Sequence, residues 1–148
     1  MLSYKPIFRV LLADDDEDDS FFFSEAVKYL PYHVILCLEQ NGELLLEHLE
    51  KDKLPDILFL DLAMPGKDGA ECLHAIRENK ELGGLPVIIY SISNEQADID
   101  TCYNEKANFY VVKPWSFHGV IQQLKNIFSI DWKNTTHVPA KEDFVLRI

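Results

Sequence analysis

The sequence predicts an α/β fold in which one parallel sheet of five strands carries helices on both faces. Short apolar segments alternate with amphipathic ones along the chain, which is the pattern of repeated strand–helix units. The segment Ile57-Leu58-Phe59-Leu60 is apolar without polar alternation, as in a parallel strand buried on both faces. With 148 residues, of which 47% are hydrophobic, the chain is large enough for one domain with a substantial core.

The individual elements follow from apolar runs and the residues that interrupt them. Strands are predicted over residues 8–13, 34–38, 55–61, 86–90 and 108–112. Helices are predicted over residues 20–30, 43–51, 70–79, 95–106 and 115–130, with Phe22 and Leu44 among the residues expected to face inward. Pro31 ends the first of these helices, and the Gly83-Gly84 pair separates the third helix from the fourth strand.

Strand–helix alternation with right-handed crossovers leaves few topologies, and the flavodoxin-like order 2-1-3-4-5 is the expected one for such a doubly wound sheet. In that order the carboxyl ends of four strands meet at one edge, which is where ligands bind in open α/β sheets. The polar residues expected there are Asp14, Asp15, Asp61, Ser91 and Lys113.

The acidic run from Asp14 to Asp19 requires something that offsets the repulsion between its charges. Acidic residues are favourable in the first turn of a helix, so the later ones are expected to cap the first helix or to be exposed. The first two, Asp14 and Asp15, stand at the strand tip, where a bound divalent cation would compensate their charge. Both explanations hold together if the run is divided in this way.

The residues at this edge have a shared chemical logic. Three carboxylates are hard oxygen ligands suited to Mg²⁺. A carboxylate can also attack phosphorus to give an aspartyl phosphate, and Asp61 is the best candidate because it closes the central strand. Lys113 and Ser91 would then share the charge of the phosphoryl group. Taken singly, each reads equally well as a turn aspartate, a strand-end serine or a solvated lysine. Their combination at four strand ends favours the functional interpretation.

These motifs resemble the receiver domain of two-component response regulators, the CheY-like family. The resemblance covers residues 8–130. It rests on four motifs: the acidic pair in Leu12-Ala13-Asp14-Asp15-Asp16, the segment Leu60-Asp61-Leu62-Ala63-Met64-Pro65 with Asp68-Gly69, the strand-ending Ser91, and Tyr110-Val111-Val112-Lys113-Pro114. The family implies a phospho-accepting regulator, in which Asp61 takes a phosphoryl group from a histidine kinase with Mg²⁺ as cofactor.

The resemblance also implies the roles of the surrounding residues. Asp14 and Asp15 look like the metal-binding acidic pair, with Asp61 and the backbone carbonyl of Ala63 as further ligands. Lys113, Ser91 and the backbone of Ile92 would bind the phosphoryl group. Ser91 and Tyr110 are similar to the family's switch pair, and the Lys113-Pro114 bond is expected to be cis.

Two positions depart from the family's usual pattern. Ile92 is bulky where a small residue is usual, and it could narrow access to the phosphoryl group. Ala63 lacks the polar side chain that the position often carries, which removes a contact to attacking water. Both departures bear on the lifetime of the phosphorylated state.

Phosphorylation would pull Ser91 toward Asp61 and leave space into which Tyr110 could turn. The face made by the fourth helix, fifth strand and fifth helix would change as a result. A protein partner or a second copy of the chain could bind there. The expected upstream partner is a sensor histidine kinase or a phosphotransfer protein.

Charge and composition limit the other partners. Lys and Arg number 14 against 25 Asp and Glu, and the net charge of −11 argues against direct binding to nucleic acid or to an anionic membrane. The N-terminus does not read as a signal peptide, so a cytoplasmic protein is expected.

The domain organisation is expected to be a receiver over residues 1–130 with an extension over 131–148 and no output domain. Residues 143–148 could dock on their own domain or on a partner, or they could form a frayed terminus. Two alternatives to the regulator remain. A Mg²⁺-dependent phosphohydrolase would use an aspartyl nucleophile, but it usually places a second acid where Ala63 stands. A pseudo-receiver would bind partners without phosphate, against which the intact acidic residues argue. We expect a phospho-acceptor rather than a turnover enzyme.

Overall fold

A five-stranded parallel sheet forms the centre of the protein, as the computed structural model shows. The structure describes residues 7–132 and 139–147. The strands are β1 (Ile7–Ala13), β2 (His33–Glu39), β3 (Ile57–Leu60), β4 (Val87–Ser91) and β5 (Phe109–Val112). Their order is β2-β1-β3-β4-β5, with every neighbouring pair parallel. The predicted fold class and strand order are confirmed.

Helices cover both faces of this sheet. They are α1 (Glu17–Ala26), α2 (Gly42–Lys51), α3 (Gly69–Glu78), α4 (Gln96–Asn104) and α5 (Phe117–Phe128). One core layer joins α2, α3 and α4 to the sheet, and the other joins α1 and α5 to the opposite face. β3 is buried along its whole length between the two layers, as its uninterrupted apolar sequence predicts.

The first helix begins earlier than predicted because an acidic residue caps it. The Asp16 carboxylate accepts a hydrogen bond from the Asp19 amide at 3.0 Å, and the acidic residues that follow occupy the first turn. Asp16 therefore caps the helix, and Glu17 and Asp18 are exposed in its first turn near the positive end of the helix dipole, as expected. After Ala26 the chain tightens into a 3₁₀ turn over Val27–Tyr29.

Two apolar residues expected to face inward are instead exposed. Phe22 is 47% exposed and Leu44 is 44% exposed. On α1 the buried positions are Phe23 and Ala26, so the stripe that packs on the sheet is narrower than the apolar sequence indicates. A single sequence does not distinguish apolar residues that flank the buried stripe of a helix from those that lie within it.

The C-terminal segment docks on its own domain, which is one of the three possibilities open from the sequence, beside docking on a partner and a frayed terminus. Residue Val145 pairs in parallel with Tyr110, on the edge strand of the sheet. Phe144 is fully buried and belongs to the core layer of α2, α3 and α4. Residues 133–138 and 148, which belong to the same predicted extension, lie outside the described residues.

Across residues 7–132 and 139–147, the structure contains no helix that is both long and apolar enough to cross a membrane.

Candidate functional site

The predicted site residues stand at the carboxyl ends of neighbouring strands. Asp14 follows β1, Asp61 follows β3, Ser91 ends β4, and Lys113 follows β5. Backbone hydrogen bonds fix these ends to one another: the Asp61 amide donates to the Ala13 carbonyl at 2.9 Å, and the Lys113 amide donates to the Ser91 carbonyl at 2.8 Å. The parallel register therefore holds the four side chains at one edge of the sheet.

Lys113 is the centre of the charged cluster. Its ammonium Nζ lies 2.8 Å from Asp14 Oδ2, 3.0 Å from Asp61 Oδ2 and 2.7 Å from Asp19 Oδ2. The lysine side chain is only 6% exposed. Burial lowers the pKa of Lys113, but its ion pairs, above all those with Asp14 and Asp19, outweigh this effect, and the pKa is raised. The group is therefore a fixed positive charge.

The surroundings of Asp14 disfavour the ionised form of its carboxyl group. Burial raises the pKa of its carboxyl to about 6, and the Asp61 carboxylate adds to this shift. Lys113 and the Asp16 amide oppose it only in part. The buried Oδ2 of Asp14 contacts the Lys113 ammonium at 2.8 Å, but that ammonium is shared with Asp19 and Asp61. A cation in contact with Asp14 would relieve that cost.

Three carboxylates converge in a way that suits a divalent cation. Oxygen atoms of Asp14, Asp15 and Asp61 all lie within 4.8 Å of one another. Asp14 and Asp61 are buried whereas Asp15 is exposed, so the group opens to solvent on one side. Around Lys113, three carboxylates share one ammonium, which leaves two negative charges uncompensated when all are ionised. Hard oxygen ligands and this charge balance fit Mg²⁺.

The loop after Asp61 is built for close packing. The Ala63 amide donates to Asp61 Oδ1 at 3.2 Å and so orients the carboxylate. A methyl group on Gly69, the first residue of α3, would lie 2.2 Å from the Asp61 carbonyl oxygen, so only glycine fits there. Asp68 caps the same helix by accepting from the Glu71 amide at 2.9 Å. The Asp-Gly pair therefore fixes the loop that carries Asp61.

Ser91 and Tyr110 meet behind this charged cluster. Ser91 is 2% exposed, and its Oγ accepts a hydrogen bond from the Ser93 amide at 3.2 Å. The Tyr110 hydroxyl donates to the Ser93 carbonyl at 2.8 Å, and its ring is fully buried. Burial raises the pKa of Tyr110, and hydrogen bonding to Ser93 and Ser91 opposes that shift. In this structure Tyr110 is therefore oriented inward, with its hydroxyl bonded to the loop that follows Ser91.

Ile92, the bulky residue at the predicted phosphate site, points away from the packed interior. Its side chain is 75% exposed. Trp115, two residues beyond Lys113, is 99% exposed. Both residues lie where the chain leaves the carboxyl end of a strand, and they belong to the rim of the site.

The expected cis bond at Pro114 is wrong for this structure. No cis peptide bond occurs among the described residues, which include Lys113 and Pro114. The trans form is the lower-energy isomer for most X–Pro bonds. Lys113 reaches three carboxylates with the trans bond, so the lysine needs no isomerisation to face inward.

Asp19 is the residue of the charged cluster that sequence reasoning missed. We expected it to cap α1 or to be exposed, yet its carboxylate contacts Lys113 and the side chain is only 34% exposed. A signal was available: α1 starts directly after the β1 tip, so acidic residues of its first turn lie within reach of that strand end.

The described structure is thus a doubly wound parallel sheet with clustered carboxylates and a buried lysine at its carboxyl edge. A family model described as "Response regulator receiver domain" matches residues 10–125, and the chain belongs to this family of two-component signalling domains. The CheY-like resemblance drawn from the motifs is thereby confirmed.

Relatives and solved structures agree with this assignment. The chain is 31% identical to response regulator Rcp1 of Synechocystis sp. over 103 residues, which is 70% of this chain and 66% of Rcp1. The solved Mn(2+)-bound form of Rcp1 superposes with a TM-score of 0.76 at 27% identity, over 90% of this chain and 99% of that one. A phosphorylated cyanobacterial phytochrome response regulator, RcpA, gives a TM-score of 0.75, with the same identity and coverage.

Proposed function

We propose that the protein is a phospho-accepting response regulator in which Asp61 receives a phosphoryl group from a phosphohistidine donor. The observation that carries this proposal is the contact between Asp61 and Lys113, at 3.0 Å, within a group of three converging carboxylates. The relative RcpA is described as phosphorylated, which supports the same chemistry here.

The transfer needs a nucleophile, a fixed cation and a hydroxyl. An Asp61 carboxylate oxygen attacks phosphorus, a P–O bond forms, and the P–N bond of the phosphohistidine breaks. The electron pair of that bond returns to the imidazole nitrogen. Lys113 remains beside the acyl phosphate and stabilises its charge, while Ser91 donates a hydrogen bond to a phosphoryl oxygen after leaving the Ser93 amide.

Asp14, Asp15, Asp61 and the carbonyl of Ala63 would hold Mg²⁺. When bound, the ion would reduce the repulsion between the carboxylates and an incoming phosphoryl group. The burial of ionised Asp14 supports this assignment, because the one ammonium it pairs with is shared with two other carboxylates and offsets the cost of burial only in part. Rcp1 is described in a Mn(2+)-bound form, which supports a divalent cation at a site of this family.

The two alternative functions fit the geometry less well. A phosphohydrolase needs an acid–base group that activates water beside the aspartyl phosphate, and Ala63 provides none in the position usual for such enzymes. A phosphate-independent binding module would have no use for a buried ammonium shared by three carboxylates. We therefore infer a regulator that accepts phosphate rather than a turnover enzyme.

The phosphodonor protein is proposed to dock on the aromatic surface beside Lys113. Phe22, Trp115 and Phe117 are all exposed, and the rings of Phe22 and Phe117 lie 6.4 Å apart. Exposed aromatic residues next to a reactive group are typical of a protein contact. Trp115→Ala is expected to slow transfer from a phosphorylated histidine phosphotransfer protein and to leave transfer from acetyl phosphate unchanged. Equal slowing with both donors would contradict a docking role.

Intact mass measurement with acetyl phosphate tests the proposal. Wild-type protein with Mg²⁺ is expected to gain one phosphate, whereas Asp61→Asn and wild type treated with a metal chelator gain none. Asp68→Asn is the matched control, because Asp68 caps α3 in the same loop without touching Lys113 in any described contact. An adduct that persists in Asp61→Asn would overturn the assignment of the acceptor.

A further inference from the structure

The face formed by α4, β5 and α5, which the sequence suggests as a partner surface, is already occupied by the chain's own C-terminal segment. All three elements hold residues 139–147. From α4, the Tyr103 hydroxyl donates to the Pro139 carbonyl at 3.2 Å, and Asp100 pairs with Lys141 at 3.2 Å. From α5, Gln123 Nε2 donates to the Leu146 carbonyl at 3.1 Å.

The contact with β5 is centred on Tyr110. The Tyr110 amide donates to the Phe144 carbonyl at 3.0 Å, and the Leu146 amide donates to the Tyr110 carbonyl at 2.9 Å. Both backbone polar groups of this one residue are therefore paired with the segment. The segment adds to the edge of the sheet as a short parallel strand would.

Phe144 closes the space outside the Tyr110 ring. Its side chain is fully buried, with ring centroids 5.1 Å from Tyr103 and 6.2 Å from Tyr110. Tyr110 is fully buried too, with its hydroxyl on Ser93. The docked segment therefore gives the inward Tyr110 ring a buried packing partner and so favours that orientation.

We propose that residues 139–147 form a clamp that positions Tyr110, and that the docked clamp and a phosphoryl group at Asp61 stabilise each other. The inference rests on the proposed function. Ser91 and Tyr110 both bond to Ser93, through its amide and its carbonyl respectively. When Ser91 turns toward a phosphoryl group, the Tyr110 ring next to it must keep its inward orientation. The docked clamp holds Tyr110 in that orientation before phosphorylation takes place.

Reciprocity follows from linkage. If the docked clamp strengthens binding at Asp61, ligand binding at Asp61 must strengthen docking by the same factor. Phe144 acts through Tyr110 and is therefore a positioning residue. Two variants loosen the clamp differently: Phe144→Ala removes the buried ring, and Leu146→Pro removes the N–H that bonds Tyr110 together with the leucine side chain that packs on the core layer of α1 and α5. Glu142→Ala, at an exposed position of the same segment, is the matched control.

The test measures the affinity for beryllofluoride, a stable phosphoryl mimic, in the presence of saturating Mg²⁺, and separately the affinity for Mg²⁺ alone. Both variants are expected to bind beryllofluoride about 5-fold or more weakly, the lower end of ordinary coupling. Mg²⁺ affinity is expected to stay unchanged, because none of the clamp contacts involves the carboxylates of the metal site. A merely structural defect would weaken both ligands together.

Hydrogen exchange supplies the reciprocal measurement. Beryllofluoride is expected to slow exchange of the Leu146 amide in wild-type protein, and this protection should be the same at low and high protein concentration. Protection that falls on dilution would assign the segment to a second copy and overturn an intramolecular clamp. Equal beryllofluoride affinity in wild type and Leu146→Pro, with normal wild-type binding, overturns the clamp and leaves the proposed function standing. Failure of wild type to bind beryllofluoride overturns both.

Discussion

Replacing Asp14 with asparagine is expected to stabilise the metal-free protein. The carboxyl is buried and carries a raised pKa of about 6, against an ordinary value of 3.8. A raised pKa in the folded state means that folding favours the protonated form. The contribution of this group to stability is therefore fully present below about pH 4 and is lost as the pH rises through about 6.

The size of the effect follows from the same shift. At about 1.4 kcal/mol for each pH unit, moving the pKa from 3.8 to about 6 corresponds to about 3 kcal/mol lost at neutral pH. The asparagine amide cannot ionise, so Asp14→Asn would keep that free energy at every pH. Lys113 loses one partner in the variant but retains Asp19 and Asp61. The expected gain is an order-of-magnitude figure of about 3 kcal/mol near pH 7.

Urea unfolding with a metal chelator, repeated from about pH 4 to about pH 7.5, measures this difference. The gap between Asp14→Asn and wild type should be small at the acidic end and grow through about pH 6. Added Mg²⁺ should raise the stability of wild type and reverse the order of the two proteins. A gap that does not change with pH, or a less stable variant at neutral pH without metal, would refute the reasoning.

Three further substitutions probe other contacts of the site. Lys113→Met leaves buried carboxylates without their cation. In the absence of metal it should therefore lower the free energy of unfolding by about 3–5 kcal/mol. Urea unfolding with and without Mg²⁺ measures this change, and an unchanged free energy of unfolding would contradict the role of the ion pairs. Gly69→Ala should displace the Asp61 loop, cost about 1–3 kcal/mol and slow phosphate uptake, because its methyl group meets the Asp61 carbonyl at 2.2 Å. Gly84→Ala is its control, since nothing lies within 4 Å of the added carbon, and equal behaviour of the two variants would remove the steric argument. Asp19→Asn should speed phosphorylation by acetyl phosphate about 5-fold, because the loss of a partly exposed ion pair worth about 1 kcal/mol frees Lys113 for the incoming group. A slower rate would show that Asp19 assists the reaction instead.

Much of the fold and of the site could be predicted because the functional candidates stand where an apolar strand sequence gives way to polar loop residues. Asp61 and Lys113 each follow an apolar run directly, and the parallel topology then requires those ends to meet. The sequence position of a strand-end residue therefore determines its place in space. The same argument locates Ser91 at the end of β4.

Contacts that depend on side-chain direction or on distant segments were not predictable in this way. Asp19 lies on a helix, and its contact with Lys113 depends on how α1 is set against the sheet. Phe22 has the same apolar character as Phe23, yet only Phe23 faces the core. The burial of Phe144 depends on a chain end returning to β5, which no local pattern encodes.

The cis bond at Pro114 shows the limit of reasoning by resemblance. Prolines after the lysine are expected to be cis because the lysine must face inward, but the described chain achieves this with a trans bond. The requirement was the position of the ammonium, and more than one backbone conformation satisfies it.

The central claim is that the Asp61 carboxylate itself becomes the acyl phosphate. Borohydride reduces an acyl phosphate and converts that aspartate to homoserine, so peptide mass mapping after phosphorylation and reduction identifies the residue directly. Homoserine is expected at position 61 of the wild-type protein, and its formation should depend on both Mg²⁺ and the phosphodonor. Homoserine at position 14 or 15, or none at any aspartate of a protein that has gained phosphate, would contradict it.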